Sequence, residues 1–235
     1  MVNKKHAFWQ ALVISIIIFI AGFLLGLWLE EARTNKMEKI LAISEINLLD
    51  SQLIGKVNEN FNLSCEISKK QLFQFADKIY EEAQLLEQYD ASSQLIDLIS
   101  VMHKRYDLLR VMLWSESIKI KKECHEEFHT AIYFFQYQNP PISIKSQQTA
   151  FSRFLTDLKE KYGNEILLIP IAGDLNLTSI DMLKTNFKIK TLPAILVDEK
   201  TLISSIEELE KIESYLNKSA KNPNRILLLP QAAPL

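Results

Sequence analysis

The spacing of apolar and polar positions changes its character three times along the chain. From Ala7 to Leu29 no side chain is charged, and Lys4, Lys5, Glu30 and Glu31 flank the run. At ~1.5 Å per residue this makes ~35 Å of helix, enough to cross a hydrocarbon core with some tilt. Phe8 and Trp9 at one end and Trp28 at the other suit the headgroup level. A cleaved signal peptide would have a shorter apolar core and small residues at its exit. Here the exit reads Leu27-Trp28-Leu29. The segment is therefore read as a retained single span over 7–29, after a short basic tail over 1–6.

Beyond the span the period becomes helical. Between Glu30 and Glu127 there is no proline and one glycine, Gly55, which favours helix. Leu72, Ala76, Ile79, Ala83 and Leu86 recur at helical spacing, as do Leu95, Ile99, Met102, Tyr106, Leu109 and Leu113. Ser68 is read as the cap of the first of these helices. Asp90-Ala91-Ser92-Ser93 is read as the turn of an antiparallel hairpin. A third helix is expected over Met37–Val57, either separate or running on directly from the span. Residues 30–127 then form a helical spacer between the bilayer and the C-terminal domain.

The last part has the short alternations of strands. Thr130–Tyr137 reads as a strand, Ser146–Tyr162 as a helix closed by Gly163, and Ile166–Ile171 as a central strand covered on both faces. Ser179–Asn186 is a short helix. Ala194–Val197 and Lys200–Ile203 are strands joined at Asp198-Glu199, and a last helix capped by Ser204 or Ser205 runs to Leu216. The order is β-α-β-α-β-β-α, an α+β or α/β arrangement over 128–217 whose first two strands run parallel. Residues 218–235 form a flexible tail.

This order, together with the segment Phe187-Lys188-Ile189-Lys190-Thr191-Leu192-Pro193-Ala194-Ile195-Leu196-Val197, resembles a thioredoxin-like domain. In that family a helix leads into a cis-proline and then a central strand. The family carries C-x-x-C after the first of these strands, where the helix N-terminus lowers a thiol pKa. The corresponding stretch here, Gln138 to Ser146, has no cysteine, and a serine hydroxyl cannot replace a thiolate in disulfide exchange. The resemblance thus implies a redox-inactive domain. The backbone beside the cis-proline would remain able to pair with an extended peptide. Leu192, Pro193, Asn139 and Pro140 are the candidate binding residues. The plainer alternative is that Pro193 shapes a turn of the core.

Other chemistry is sparse. Lys+Arg 27 against Asp+Glu 29 leaves no basic field for nucleic acid. His125-Glu126-Glu127-Phe128-His129 matches H-E-x-x-H, which on a helix sets two imidazoles on zinc with Glu126 as base. The strand-like run after His129 opposes that, and the third ligand, such as Glu160, must come from the domain. A structural zinc on Cys124, His125 and Cys65 or His103 is the other metal reading. The preferred expectation is no metal and no cofactor. Cys65 and Cys124, the only cysteines, pair as a disulfide if this region lies outside the cytoplasm, or else stay as two thiols; a thiol-disulfide enzyme built on them is the alternative function. Asn62, Asn176 and Asn217 each begin an Asn-x-Ser/Thr pattern, a number near chance. The expected partners are the membrane and an unidentified protein. Lys/Arg residues flank both sides of the span, and the long C-terminal part can cross regardless of charge, so the N-terminus is assigned to the cytoplasm.

Gly22 and Gly26 form a G-x-x-x-G face that lets two helices approach in lipid. Gly22→Ile with Gly26→Ile is expected to leave the chain monomeric in detergent by analytical ultracentrifugation. Unchanged association of the double variant contradicts a dimer through this face.

Overall fold

The computed structural model describes residues 4–61, 63–87, 96–125 and 128–220. The chain divides into two compact units, Met1–Leu49 and Asp50–Leu235.

The first unit lies on helix α1 (Lys4–Phe61), one continuous helix in which the Met37–Val57 segment runs on directly from the apolar span. Nothing between Leu29 and Met37 breaks a helix, since the segment lacks proline and glycine. Phe8–Ala32 is long and apolar enough to cross a membrane, and its large side chains are exposed.

In the second unit, α2 (Cys65–Glu87) and α3 (Ile96–Cys124) pack on one another. The cap of α2 is Ser64, not Ser68. Its Oγ accepts the Ile67 N–H at 3.4 Å, while the Ser68 hydroxyl donates back to Ser64 O. Two serines four apart compete for one helix start, and the first frees the apolar stripe to begin with the helix. The expected turn at 90–93 lies outside the described residues. A disulfide joins Cys65, at the start of α2, to Cys124, the last residue of α3, with Cα atoms 5.5 Å apart. That link requires the two helices to run antiparallel.

The sheet comprises β1 (His129–Phe135), β2 (Ile166–Ala172), β3 (Ala194–Val197) and β4 (Thr201–Ile203), in the order β2-β1-β3-β4. β1 and β2 are parallel, with His129 opposite Ile166 and Phe135 opposite Ala172; β3 is antiparallel to β1 and to β4. Helices α4 (Ile142–Tyr162), α5 (Thr178–Asn186) and α6 (Leu209–Ala220) complete the unit. β2 is an edge strand, which corrects the central position expected from its unbroken apolar run. Pro170 pairs opposite Tyr133 within it, and a residue without an N–H is tolerated where one side of the strand bonds nothing. The run is apolar because helices cover both faces of the edge.

Alternation sorts the core into two layers. Ala131, Tyr133, Ile166, Ile195, Val197 and Ile203 pack with Phe151, Leu155 and Leu158 of α4 and Leu209, Ile212 and Leu216 of α6. The opposite face carries Ile132, Phe134 and Leu196, all buried. There the buried Trp114 of α3 meets Phe134 edge-on at 6.2 Å and Phe187 at 5.4 Å. Packing thus runs across the boundary expected at 127/128. Helix α3 is a layer of the sheet's own core, and α2 joins it through Phe73 against Phe128 at 5.5 Å. The spacer reading treats amphipathic stripes as facing only each other, but the stripe of α3 is wide enough to face two neighbours.

The disulfide spans a separation of 59 residues, and in the loop-entropy account such a closure contributes about 4 kcal/mol. Cys65→Ser with Cys124→Ser is expected to lower the unfolding free energy by about that amount in urea titrations. A loss below ~1 kcal/mol contradicts a stabilising tie.

Candidate functional site

The carboxyl ends of β1 and β2 and the amino end of β3 meet at one end of the sheet. Phe134 lies opposite Ala194 and Phe135 opposite Ala172. The Leu192–Pro193 peptide bond just before β3 is cis, as the resemblance implies. Pro193 is buried and Leu192 half-buried. On the other side, β1 exits into 136–141. There Asn139 is exposed with φ +44°, Pro140 is half-buried, and α4 starts directly after Pro141. The helix begins four residues earlier than its apolar pattern indicates, because proline suits the position before the first turn. Its first residue, Ile142, is 86% exposed, and the first turn holds no acid.

The loop after β2 connects the two candidate pairs. Asp174 accepts the N–H of Tyr137 at 2.9 Å and of Gln138 at 2.7 Å, which fixes the path out of β1. Gly173 N–H donates to Phe135 O at 2.8 Å. A Cβ at Gly173 would stand 2.9 Å from Leu192 Cδ1, so the residue before the cis bond is seated in space only glycine leaves. Gln148 of α4 accepts the Gln136 N–H at 2.9 Å.

Helix α3 supports this end from beneath. Asp107, 1% exposed, accepts the Ala172 N–H at 3.2 Å and pairs with Arg110 at 3.0 Å. Burial raises its carboxyl pKa above the usual range despite Arg110, the Ala172 N–H and His103. His103 lies against the Tyr137 ring, with centroids 4.1 Å apart. Asp107, Asp174 and Tyr137 were not candidates from sequence. The signal for Asp107 was available as a carboxylate beside Tyr106 and Leu109 in an otherwise apolar helix stripe. Asp174 in a loop carried none.

A second polar cluster sits at the β3–β4 turn. Asp198 and Glu199 both take positive φ, and Lys200 N–H closes the turn on Val197 O at 3.0 Å, in a three-residue connection between the paired Val197 and Thr201. Asp198 receives Lys121 Nζ at 2.7 Å and Thr130 N–H at 2.9 Å on one oxygen, and His129 Nδ1 lies 2.6 Å from the other. Glu199 accepts Trp114 Nε1 at 2.7 Å and the Thr130 hydroxyl at 2.9 Å. Burial alone would raise the Asp198 pKa. The hydrogen bonds of His129, Lys121 and Thr130, with the Lys121 charge, outweigh it and hold the carboxyl far below its ordinary range.

The residues of the two metal alternatives take the following places. α3 ends at Cys124, exposed His125 has φ +51°, and His129 lies in β1, so the two imidazoles do not share a helix face. Glu126 lies outside the described residues, and Glu160 is exposed on α4. Cys65 and Cys124 are bonded to each other, and His103 lies on Tyr137. Among the described residues no three His, Cys, Asp or Glu side chains are grouped to hold an ion. In the apolar helix, a Cβ at Gly22 or Gly26 would meet no described atom within 4 Å.

No protein-family model and no curated protein matches the chain. Solved structures similar over part of it include the germline-specific thioredoxin Deadhead of Drosophila melanogaster, at 14% identity and TM-score 0.32, covering 45% of this chain and 92% of that one. Another is described as a malarial protein, at 21% identity and TM-score 0.28, covering 39% of this chain and 97% of that one. Scores of this size establish neither fold nor activity for the chain.

Folding depresses the Asp198 pKa, so its stabilisation is present above the unfolded carboxyl value of ~3.9 and lost as pH falls through the native one. Asp198→Asn is expected to cost ~3 kcal/mol at neutral pH. In urea unfolding, the gap between wild type and variant should close progressively below pH ~4. A gap that persists undiminished at pH ~2 contradicts the ion-pair account.

Proposed function

We propose that the chain is a membrane-anchored thioredoxin-like protein that binds an extended segment of another protein beside Pro193 and has no redox chemistry at that address. The observation that carries the reading is the end of the sheet where β1 exits into Asn139-Pro140-Pro141-Ile142, which holds no cysteine pair, while the loop after β2 touches both sides: Asp174 accepts the Tyr137 and Gln138 N–H groups and Gly173 seats Leu192. A thiolate at the first turn of α4 would be stabilised by the helix dipole. Asparagine and isoleucine offer no such nucleophile. The backbone ahead of β3, at Leu192, supplies main-chain groups for a strand-like partner, and exposed Ile142 supplies an apolar contact at the start of α4.

Phe8–Ala32 serves as the anchor, with the N-terminus in the cytoplasm and the second unit outside it. The bonded pair Cys65–Cys124 supports that orientation, since disulfides persist in oxidising compartments. Homodimerisation through Gly22 and Gly26 belongs to the same proposal, with lipid on the remaining helix surface.

Restoring the missing pair tests the site. Asn139→Cys with Ile142→Cys, in the full chain in detergent, is expected to accelerate insulin reduction by dithiothreitol at least ~10-fold over wild type. A folded double variant with no such gain contradicts a thioredoxin-like geometry at this end of the sheet.

A further inference from the structure

The three Asn-x-Ser/Thr patterns are equivalent in sequence but not in structure. Asn217 lies inside α6 (Leu209–Ala220), where the helical backbone holds the pattern closed. Asn62 lies outside the described residues. Asn176 is in the loop between β2 and α5. It is exposed, with φ +55°, and Thr178 at the head of α5 is exposed as well. The residues beside it fix which way the loop faces. Leu175 is 1% exposed and inserts into the core, and Leu177 is half-buried. Asp174 is tied to Tyr137 and Gln138. The loop is thus anchored on both sides of an outward Asn and an outward Thr, which is the surface-loop setting an acceptor needs.

We infer that Asn176 is an N-glycosylation site, which rests on the orientation proposed above. The co-substrate is an oligosaccharide carried on a lipid phosphate. The Asn176 side-chain nitrogen attacks the anomeric carbon of that sugar. A C–N bond forms, the bond from carbon to phosphate oxygen breaks, the lipid phosphate leaves with the electron pair, and the amide proton passes to a base of the transferase. Thr178 supplies the hydroxyl by which the acceptor is recognised. The glycan then stands at the rim of the sheet end that carries Asp174 and Leu192, so it borders the peptide site and narrows its approach to thin, extended segments.

The test is mass mapping of the full chain isolated from the membranes of its own cells, with protease added to intact cells in a parallel sample to report orientation. The peptide containing Asn176 is expected to carry hexose-based mass in nearly all copies. Asn176→Gln and Thr178→Ala should remove it, and Thr178→Ser should retain it. A second unit cleaved from outside while Asn176 stays at its unmodified mass overturns the site and leaves the orientation standing. A second unit protected from external protease, with Asn176 unmodified, overturns both.

Discussion

Helix α3 carries the architecture of the second unit because three different forces act along its length. Its apolar stripe packs α2 on one side and the sheet on the other, with Trp114 buried between Phe134 and Phe187. Its charged side chains tie it to the sheet: Asp107 accepts the Ala172 N–H of the edge strand, and Lys121 donates to the Asp198 carboxylate at the hairpin turn. Its last residue is bonded to α2. Burying side chains of this size contributes ~1.5–3 kcal/mol each, which favours keeping the helix on the sheet rather than extended as a stalk.

The same helix explains why the two ends of the sheet differ. At the β3–β4 turn, Lys121, Trp114, His129 and Thr130 all satisfy Asp198 and Glu199, and the network closes upon itself. At the other end, α3 holds the sheet from below and leaves the upper surface to the cis-proline, the 136–141 loop and the bare start of α4. The first is an arrangement for stability. The second has a helix start without a side-chain cap and an exposed Ile142, and it is the end to which the proposed partner is assigned.

Much of this was readable from residue order. The periods of Leu72–Leu86 and Leu95–Leu113 located two helices, the apolar runs located the strands, and the segment ending in Leu192-Pro193 located the bend. The errors share one cause, which is that local pattern does not report neighbours in space. An apolar run such as Ile166–Ile171 reads alike at the centre or at a covered edge, and only Pro170 hinted at the edge. A wide stripe on α3 does not announce a sheet. The site was half legible: Pro193 and Asn139 carry signals in their residue types, whereas Asp174 and Gly173 matter through hydrogen bonds and space made by residues far away in sequence. H-E-x-x-H presumes a helix running through 125–129, whereas α3 ends at Cys124 and His129 opens β1.

Hydrogen exchange on the full, membrane-reconstituted chain tests the shared core most directly. If α3 is a layer of the sheet domain, the amides around Leu109–Leu113 and those of β1 should exchange together, at one common rate set by global opening. Fast exchange along α3 beside a well-protected β1 would show a detachable stalk, and the account would be wrong.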